Sequence, residues 1–323
     1  MAMDTLVHVG SSGVAVPRIG FGATALADMP DTYGYSVGEE RALATINAIL
    51  DQPHGFIDTS RNYGLGRSEA LIGKVVRARG GWPEGRILST KLDRDMDTLR
   101  FDAAQARRSL EESLEALGVD RVDILHLHDP EYASDLADVT GRGGALDQLM
   151  RMKEEGLTRA VGLAAGRVDI MMPILRDWDF DALITHNRYT LVNRNAEAML
   201  DLAKARGIAV FNAAPYASGA LAKGAASQQR YVYQVATEAV LQPIRRVEEV
   251  CARHGIPLGA AALQFSLRDP RIASTILGVS RPERIAETLE WANWPISDEA
   301  WRELLALQAT SDDPEATREY SPG

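Results

Sequence analysis

The chain has 323 residues, 46% of them hydrophobic and 25% charged, with a formal net charge of −10. That balance can fill a large core, and the acidic charge argues against the basic face that a nucleic-acid partner requires. No apolar run approaches the roughly 18 residues of a membrane span, and the single cysteine, Cys251, excludes an intramolecular disulfide. Residues 1–5 carry no basic and apolar leader, so a reducing, cytoplasmic setting is expected.

Residues 6–9 and 14–16 flank the turn-rich Gly10-Ser11-Ser12-Gly13, which predicts an opening β-hairpin. Ile19-Gly20-Phe21-Gly22 reads as a short strand whose glycines admit a close neighbour. Residues 39–50 then carry a helical period. From there a strand–helix pair recurs: strand 55–58 with helix 67–78, strand 86–90 with helix 102–117, strand 122–127 with helix 144–155. Strands 158–162, 181–185, 208–212 and 273–277 follow, with helices 167–176, 195–206, 242–254 and 282–292. The strands are short and nearly all apolar (Ile208-Ala209-Val210-Phe211), as strands covered on both faces should be. With the first strand and helix, eight β–α pairs predict a closed (β/α)8 TIM barrel running as one domain over residues 1–323.

Three features interrupt the pattern. The link 213–240 is too long for an ordinary βα loop, and such loops usually carry function. Residues 257–267 form a second helical stretch before the last strand, and 301–307 form an extra helix after the last pair.

Three successive strands end in an ionisable residue: Asp58, Lys91 and His128, with Tyr63 on the loop after Asp58. In a barrel of this kind the C-terminal strand ends converge on one mouth. A phenol beside a buried ammonium is expected to have its pKa, about 10 in water, drawn toward the working pH. Asp58 would hold Lys91 charged, and His128 would hydrogen-bond a substrate oxygen. The set suits proton transfer at a carbonyl or carbinol carbon, with no metal and no covalent intermediate, alongside a bound nicotinamide.

Each residue also has an ordinary role open to it. Asp58 would serve as a turn cap, Lys91 as a solvated strand end and Tyr63 as a loop lid; four matched strand-end positions favour the chemical reading. His126 and His128 alternate along one strand and so share a face, which would also suit a zinc or iron pair in a barrel hydrolase. Downstream only His186 and His254 remain as imidazole ligands, and His254 falls on a helix. Gly64-Leu65-Gly66-Arg67-Ser68-Glu69 mimics a dinucleotide fingerprint but lacks its third glycine. Cys251, Trp291 and Trp294 read as packing residues, and Arg245-Arg246 as a solvated helix face.

With these residues placed, the chain resembles the aldo-keto reductase family over essentially its whole length. Asp58, Tyr63, Lys91 and His128 match the family's Asp–Tyr–Lys–His tetrad. The resemblance implies NAD or NADP as cofactor and a small-molecule sugar or aldehyde as substrate. In Asn212-Ala213-Ala214-Pro215-Tyr216-Ala217-Ser218-Gly219-Ala220-Leu221 it implies that Tyr216 stacks on the nicotinamide. The backbone at Ser218, Gly219 and Leu221 would then hold the pyrophosphate. Residues 282–287 resemble the adenosine-end segment, with Arg284 and Glu287 as its contacts.

The chain departs from the family at three places. Ala164-Ala165 replaces the Ser-Asn pair that holds the carboxamide, which moves that contact to His186 or Asn187. Gly278 stands where many NADPH-preferring members carry Lys, and Thr288 where Asn is usual, so strict NADP use is not implied. Residues 56–73 and 120–131 resemble the branch that oxidises D-threo-aldoses, L-fucose or L-galactose to lactones, which a pyridoxal 4-dehydrogenase also resembles. A sugar pocket would be lined by Tyr63, His128 and the 129–132 loop. General carbonyl reduction and a cofactor-sensing subunit are the other roles the family implies.

Overall fold

Short apolar runs separated by helices leave a strand no choice but to pair with its neighbours in the chain, and the computed structural model has that outcome. It describes residues 5–227, 230–316 and 318. Strands β1 (Leu6–His8) and β2 (Ala15–Pro17) form the expected antiparallel hairpin, with Val7 opposite Val16. The barrel staves follow: β3 (Ile19–Gly22), β4 (Phe56–Asp58), β5 (Ile87–Leu92), β6 (Val122–His128), β7 (Thr158–Ala165), β8 (Ala182–His186) and β9 (Ala209–Ala213). Two short strands, β10 (Arg230–Tyr231) and β11 (Gln234–Val235), pair outside the barrel before the last stave, β12 (Ile272–Gly278). All eight staves are parallel and closed, β12 pairing with both β3 and β9. This is the predicted (β/α)8 barrel.

The hairpin plugs one end. Val9, Val14 and Val16 pack in one cluster with Phe56, Ile87 and Ile124 near the starts of their staves. The interior is tight enough to demand glycine: a Cβ on Gly20 would lie 2.5 Å from the Phe56 ring, and one on Gly162 would lie 2.2 Å from His126. A larger cluster lies between staves and outer helices, where amphipathic helices such as Glu238–Arg253 bury Leu241, Ile244, Val247 and Cys251. Cys251 is thus the packing residue expected.

The other end is open and carries the loops. The long link after β9 is not bare: it contains helix Ala220–Lys223 and the β10–β11 hairpin. Short helices at Pro30–Tyr33 and Leu136–Thr140 were not legible in the periodicity. Past helix Asp298–Ala306 the chain returns to this end and is clasped there. The buried Arg188 donates to Asp313 and Glu315, both at 2.6 Å. Among the described residues no helix is long and apolar enough to cross a membrane.

Candidate active site

Alternation along a stave sends every second side chain inward, and a stave that stops on an inward residue delivers it to the mouth. β4 ends on Asp58, β5 brings Lys91, and β6 ends on His128. Lys91 is 1% exposed and its ammonium is fully engaged: Nζ donates to Asp58 Oδ2 at 2.7 Å, the Thr59 carbonyl at 2.6 Å and Tyr63 Oη at 3.0 Å. Ser89 donates to the other Asp58 oxygen at 2.8 Å. The Tyr63 ring meets His128 edge-on at 5.9 Å between centroids. The structure therefore brings Asp58, Tyr63, Lys91 and His128 into one cluster.

The electrostatics differ from expectation at the phenol. Burial, reinforced by the Asp58 carboxylate, pushes Tyr63 well above its ordinary value, and a hydrogen bond with Thr24 opposes this only in part. Beyond burial, Asp58 sits on the Lys91 ammonium and offsets its field at the phenol. Tyr63 is consequently a proton-bearing group at neutral pH.

His128 has two carboxylates that sequence reasoning did not place beside it. Nδ1 is 2.6 Å from Asp93 Oδ1, and Nε2 is 3.6 Å from Asp129. Burial alone would depress the imidazole; Asp129 and Asp93 outweigh it and raise its pKa, while Lys91 opposes them. The spacing Lys91-Leu92-Asp93 was the available signal, because i and i+2 share a face of the chain. His126 also faces inward but lies deeper, fully buried, edge-on to Phe211 at 6.1 Å, and burial holds it well below the usual histidine value. Among the described residues no cluster of three or more His, Cys, Asp or Glu is arranged to hold a metal.

A cavity of about 780 Å³ opens from this cluster and runs across the mouth. That lies within the range of small-molecule and cofactor sites, about 300–1,000 Å³. Though the chain carries a net charge of −10, the cleft is lined by Arg41, Lys223, Arg230, Arg281, Arg284 and Arg318. A cleft so rich in cations suits an anionic ligand such as a dinucleotide. Asn187 is fully buried and not among the lining residues; Tyr233 faces its carboxamide without making a hydrogen bond of ordinary geometry. A buried amide in that state lacks the partner it needs.

The expected cofactor contacts fall unevenly. His186 lines the cleft, while its Nε2 is 3.0 Å from Glu315, so the C-terminal segment engages the ring. Tyr216, expected to stack on the nicotinamide, lines the cleft. Its ring meets Trp291 edge-on at 5.9 Å and lies 5.9 Å from the Arg284 guanidinium, while Ala213 and Ala214 flank it along the cleft wall. In the expected pyrophosphate cradle, three N–H groups hydrogen-bond within the chain. Gly219 and Leu221 both donate to the Tyr216 carbonyl, at 2.9 and 3.0 Å, and Ala220 donates to Ala217. Leu221 is fully buried, whereas Ser218 and Gly219 line the cleft. Gly278, Arg284 and Glu287 line it too, Arg284 donating to Glu287 at 2.7 Å. A Cβ on Gly278 would meet only open space. Of the 129–132 loop, Asp129 alone lines the cleft; Glu131 turns away to accept from Gly166 and Arg167 at 3.0 Å.

Comparison with known proteins agrees with this geometry. The Aldo/keto reductase family model matches residues 18–309. The chain is 30% identical to D-threo-aldose 1-dehydrogenase of Pseudomonas sp, over 91% of this chain and 94% of that one. It is 28% identical to pyridoxal 4-dehydrogenase of Microbacterium luteolum, over 92% and 95%. Its fold is similar to that of an aldo-keto reductase from Bacillus halodurans in its holo form, with a TM-score of 0.75 at 20% identity over 98% and 99% of the two chains. The chain belongs to the aldo/keto reductase family and is an oxidoreductase of that family.

Proposed function

From this family membership we propose that the protein is an NAD(P)-dependent dehydrogenase that oxidises the anomeric hydroxyl of a small aldose to a lactone. The observation that carries the reading is the unbroken contact Asp58–Lys91–Tyr63, which ends in a phenol at the mouth of a cation-lined cleft. A nicotinamide bound in that cleft supplies hydride exchange. Asn187 would hold its carboxamide, and Arg281 and Arg284 its phosphate-bearing end. Tyr63 exchanges a proton with the substrate oxygen, Lys91 donates to the phenol oxygen, and Asp58 fixes Lys91. His128 donates from Nε2 to the same substrate oxygen and orients it.

Sugar as substrate is supported by the likeness to D-threo-aldose 1-dehydrogenase and by Asn62 and Asp129, polar groups beside Tyr63 that suit ring hydroxyls. A second reading, oxidation of a pyridoxal-like aldehyde, draws on the pyridoxal 4-dehydrogenase likeness and on Tyr33 and Tyr233 in the cleft wall. On either reading NAD is used at least as well as NADP, because Glu287 neutralises Arg284 where a 2′-phosphate would need it. The test is a screen of L-fucose, D-arabinose, L-galactose and pyridoxal with NAD and NADP, following reduced nicotinamide. Pyridoxal turnover with no sugar oxidised at any pH would defeat the aldose assignment and leave the family unaffected.

A further inference from the structure

We infer that Asp93 is a positioning residue of this site: it fixes the His128 ring with Nε2 turned to the cleft and sustains the imidazole as a donor to the reacting oxygen. The inference rests on the catalytic reading of the tetrad and extends it to a residue outside it.

Asp93 is 2% exposed and held at every polar atom. Its Oδ1 meets His128 Nδ1 at 2.6 Å, and its Oδ2 accepts from Ser60 Oγ at 2.6 Å and from the Asn62 N–H at 2.9 Å. Its own N–H donates to Ser109 Oγ at 2.9 Å, and its carbonyl accepts from Gln105 at 3.1 Å. A carboxylate so fixed cannot swing away, and it can only accept. His128 Nδ1 must therefore carry the proton, which leaves Nε2 as the nitrogen available to a ligand. Ser60 Oγ, 3.2 Å from Nδ1, is turned instead to Asp93 as its donor.

The charges around the ring set its state. Asp93 and Lys91 face it from β5 and its end, Asp129 from the residue after β6, Tyr63 from the loop after β4, and His126 from deeper in β6. Two carboxylates against one ammonium favour the imidazolium. Asp93 itself stays ionised: burial works against that, but His128, Ser60 and the Asn62 N–H prevail and lower its pKa.

The test compares wild type with Asp93→Asn and Asp93→Ala. Nitrogen-15 spectra of the histidine rings give the tautomer and titration midpoint of His128. Steady-state kinetics against pH, with the substrate found by the screen, give kcat and KM, and quenching of protein fluorescence by NAD gives cofactor affinity. Asp93→Asn keeps an acceptor for Nδ1–H and nearly the same shape, so it should fold, while the His128 midpoint falls. With it, kcat should drop about 10–100-fold, part of the 10²–10⁴ that proton-transfer groups supply, at unchanged NAD affinity. Asp93→Ala should lose at least as much and release the tautomer. An unmoved midpoint in Asp93→Asn, or a kcat within twofold of wild type despite a moved midpoint, overturns the inference. A merely structural Asp93 would lower the melting temperature and leave the pH limb in place. If wild type turns over no candidate substrate, the proposed function fails, while the ring spectra still uphold or overturn the Asp93–His128 pairing.

Discussion

Lys91 Nζ lies 3.0 Å from Tyr63 Oη while the same nitrogen holds Asp58 at 2.7 Å. The ammonium thus serves the phenol as a hydrogen-bond donor more than as a bare charge, because its field is largely cancelled by the carboxylate behind it. Buried ion pairs lose much when one partner is removed, so the three residues stand or fall together.

Tyr63→Phe is expected to abolish turnover by at least about 10²–10⁴-fold, the worth of a positioned acid–base group. NAD affinity should change by less than threefold, because the residues proposed to hold the cofactor lie on other strand ends. Steady-state rates and fluorescence titration check both halves. Activity within tenfold of wild type removes Tyr63 from the mechanism.

The direction of the Tyr63 shift sets the pH dependence. A phenol pushed above its ordinary value stays protonated through neutral pH. Carbonyl reduction, which takes a proton from Tyr63, should therefore not decline through Tyr63 ionisation below about pH 10. Sugar oxidation, which returns that proton, should keep rising with pH to about 10 and show no plateau near 8. Paired pH–rate profiles decide the point, and an oxidation plateau at neutral pH would mean that Lys91 dominates after all.

Glu287→Gln should move coenzyme preference toward NADP. The carboxylate holds Arg284 at 2.7 Å and lies 3.8 Å from Arg281, which is half-exposed and lines the same cleft. Removing the charge frees both guanidiniums for a 2′-phosphate. A rise of about tenfold in the NADP/NAD ratio of kcat/KM, about 1.4 kcal/mol, is expected. No change would place the 2′-phosphate elsewhere.

Glu69 makes stability depend on pH. It is fully buried, and burial pushes its pKa up from 4.5 to about 7, with Thr90 donating to it at 2.6 Å. Between about pH 4.5 and 7 the folded protein binds a proton that the unfolded chain has lost. Its contribution is therefore present at acid pH and lost as pH rises through about 7, by at most about 3 kcal/mol. Glu69→Gln should flatten this slope in urea titrations at pH 5 and pH 8; an unchanged slope would show that Glu69 is not the group responsible.

Arg188→Leu should unfasten the returning C-terminal segment. It leaves Asp313 without this cation and Glu315 with Arg318 and His186 alone, at a cost below the about 3–5 kcal/mol of leaving a buried charge wholly unpaired. Because Arg318 and His186 line the cleft next to this clasp, KM for substrate should rise as well. Proteolysis of the tail and denaturant midpoints are the measurements; an intact tail with unchanged KM would deny it any part in the site.

The barrel was legible because its signal is local. Each apolar run with a following helical period specifies a β–α unit by itself, and eight of them admit few closures. The tetrad was legible for the same reason: Asp58, Lys91 and His128 sit at stave ends, and parallel staves carry their ends to one place. Gly278, which ends β12, and Glu287 were set on the cleft by the family resemblance. The pairing of His128 with Asp93 was not legible, since it depends on how two stave ends turn toward one another. The sign of the Tyr63 shift required knowing how completely the phenol is buried and that Asp58 stands beside it. The place of Tyr216 and the spent N–H groups of Gly219 and Leu221 depended on a turn that no periodicity announces. Glu315 reaches His186 and Arg188 across 129 and 127 residues of chain. Periodicity reports the backbone a residue sits on; burial, hydrogen-bond partners and the field at a titrating atom are sums over neighbours distant in sequence, and only the closed fold assembles them.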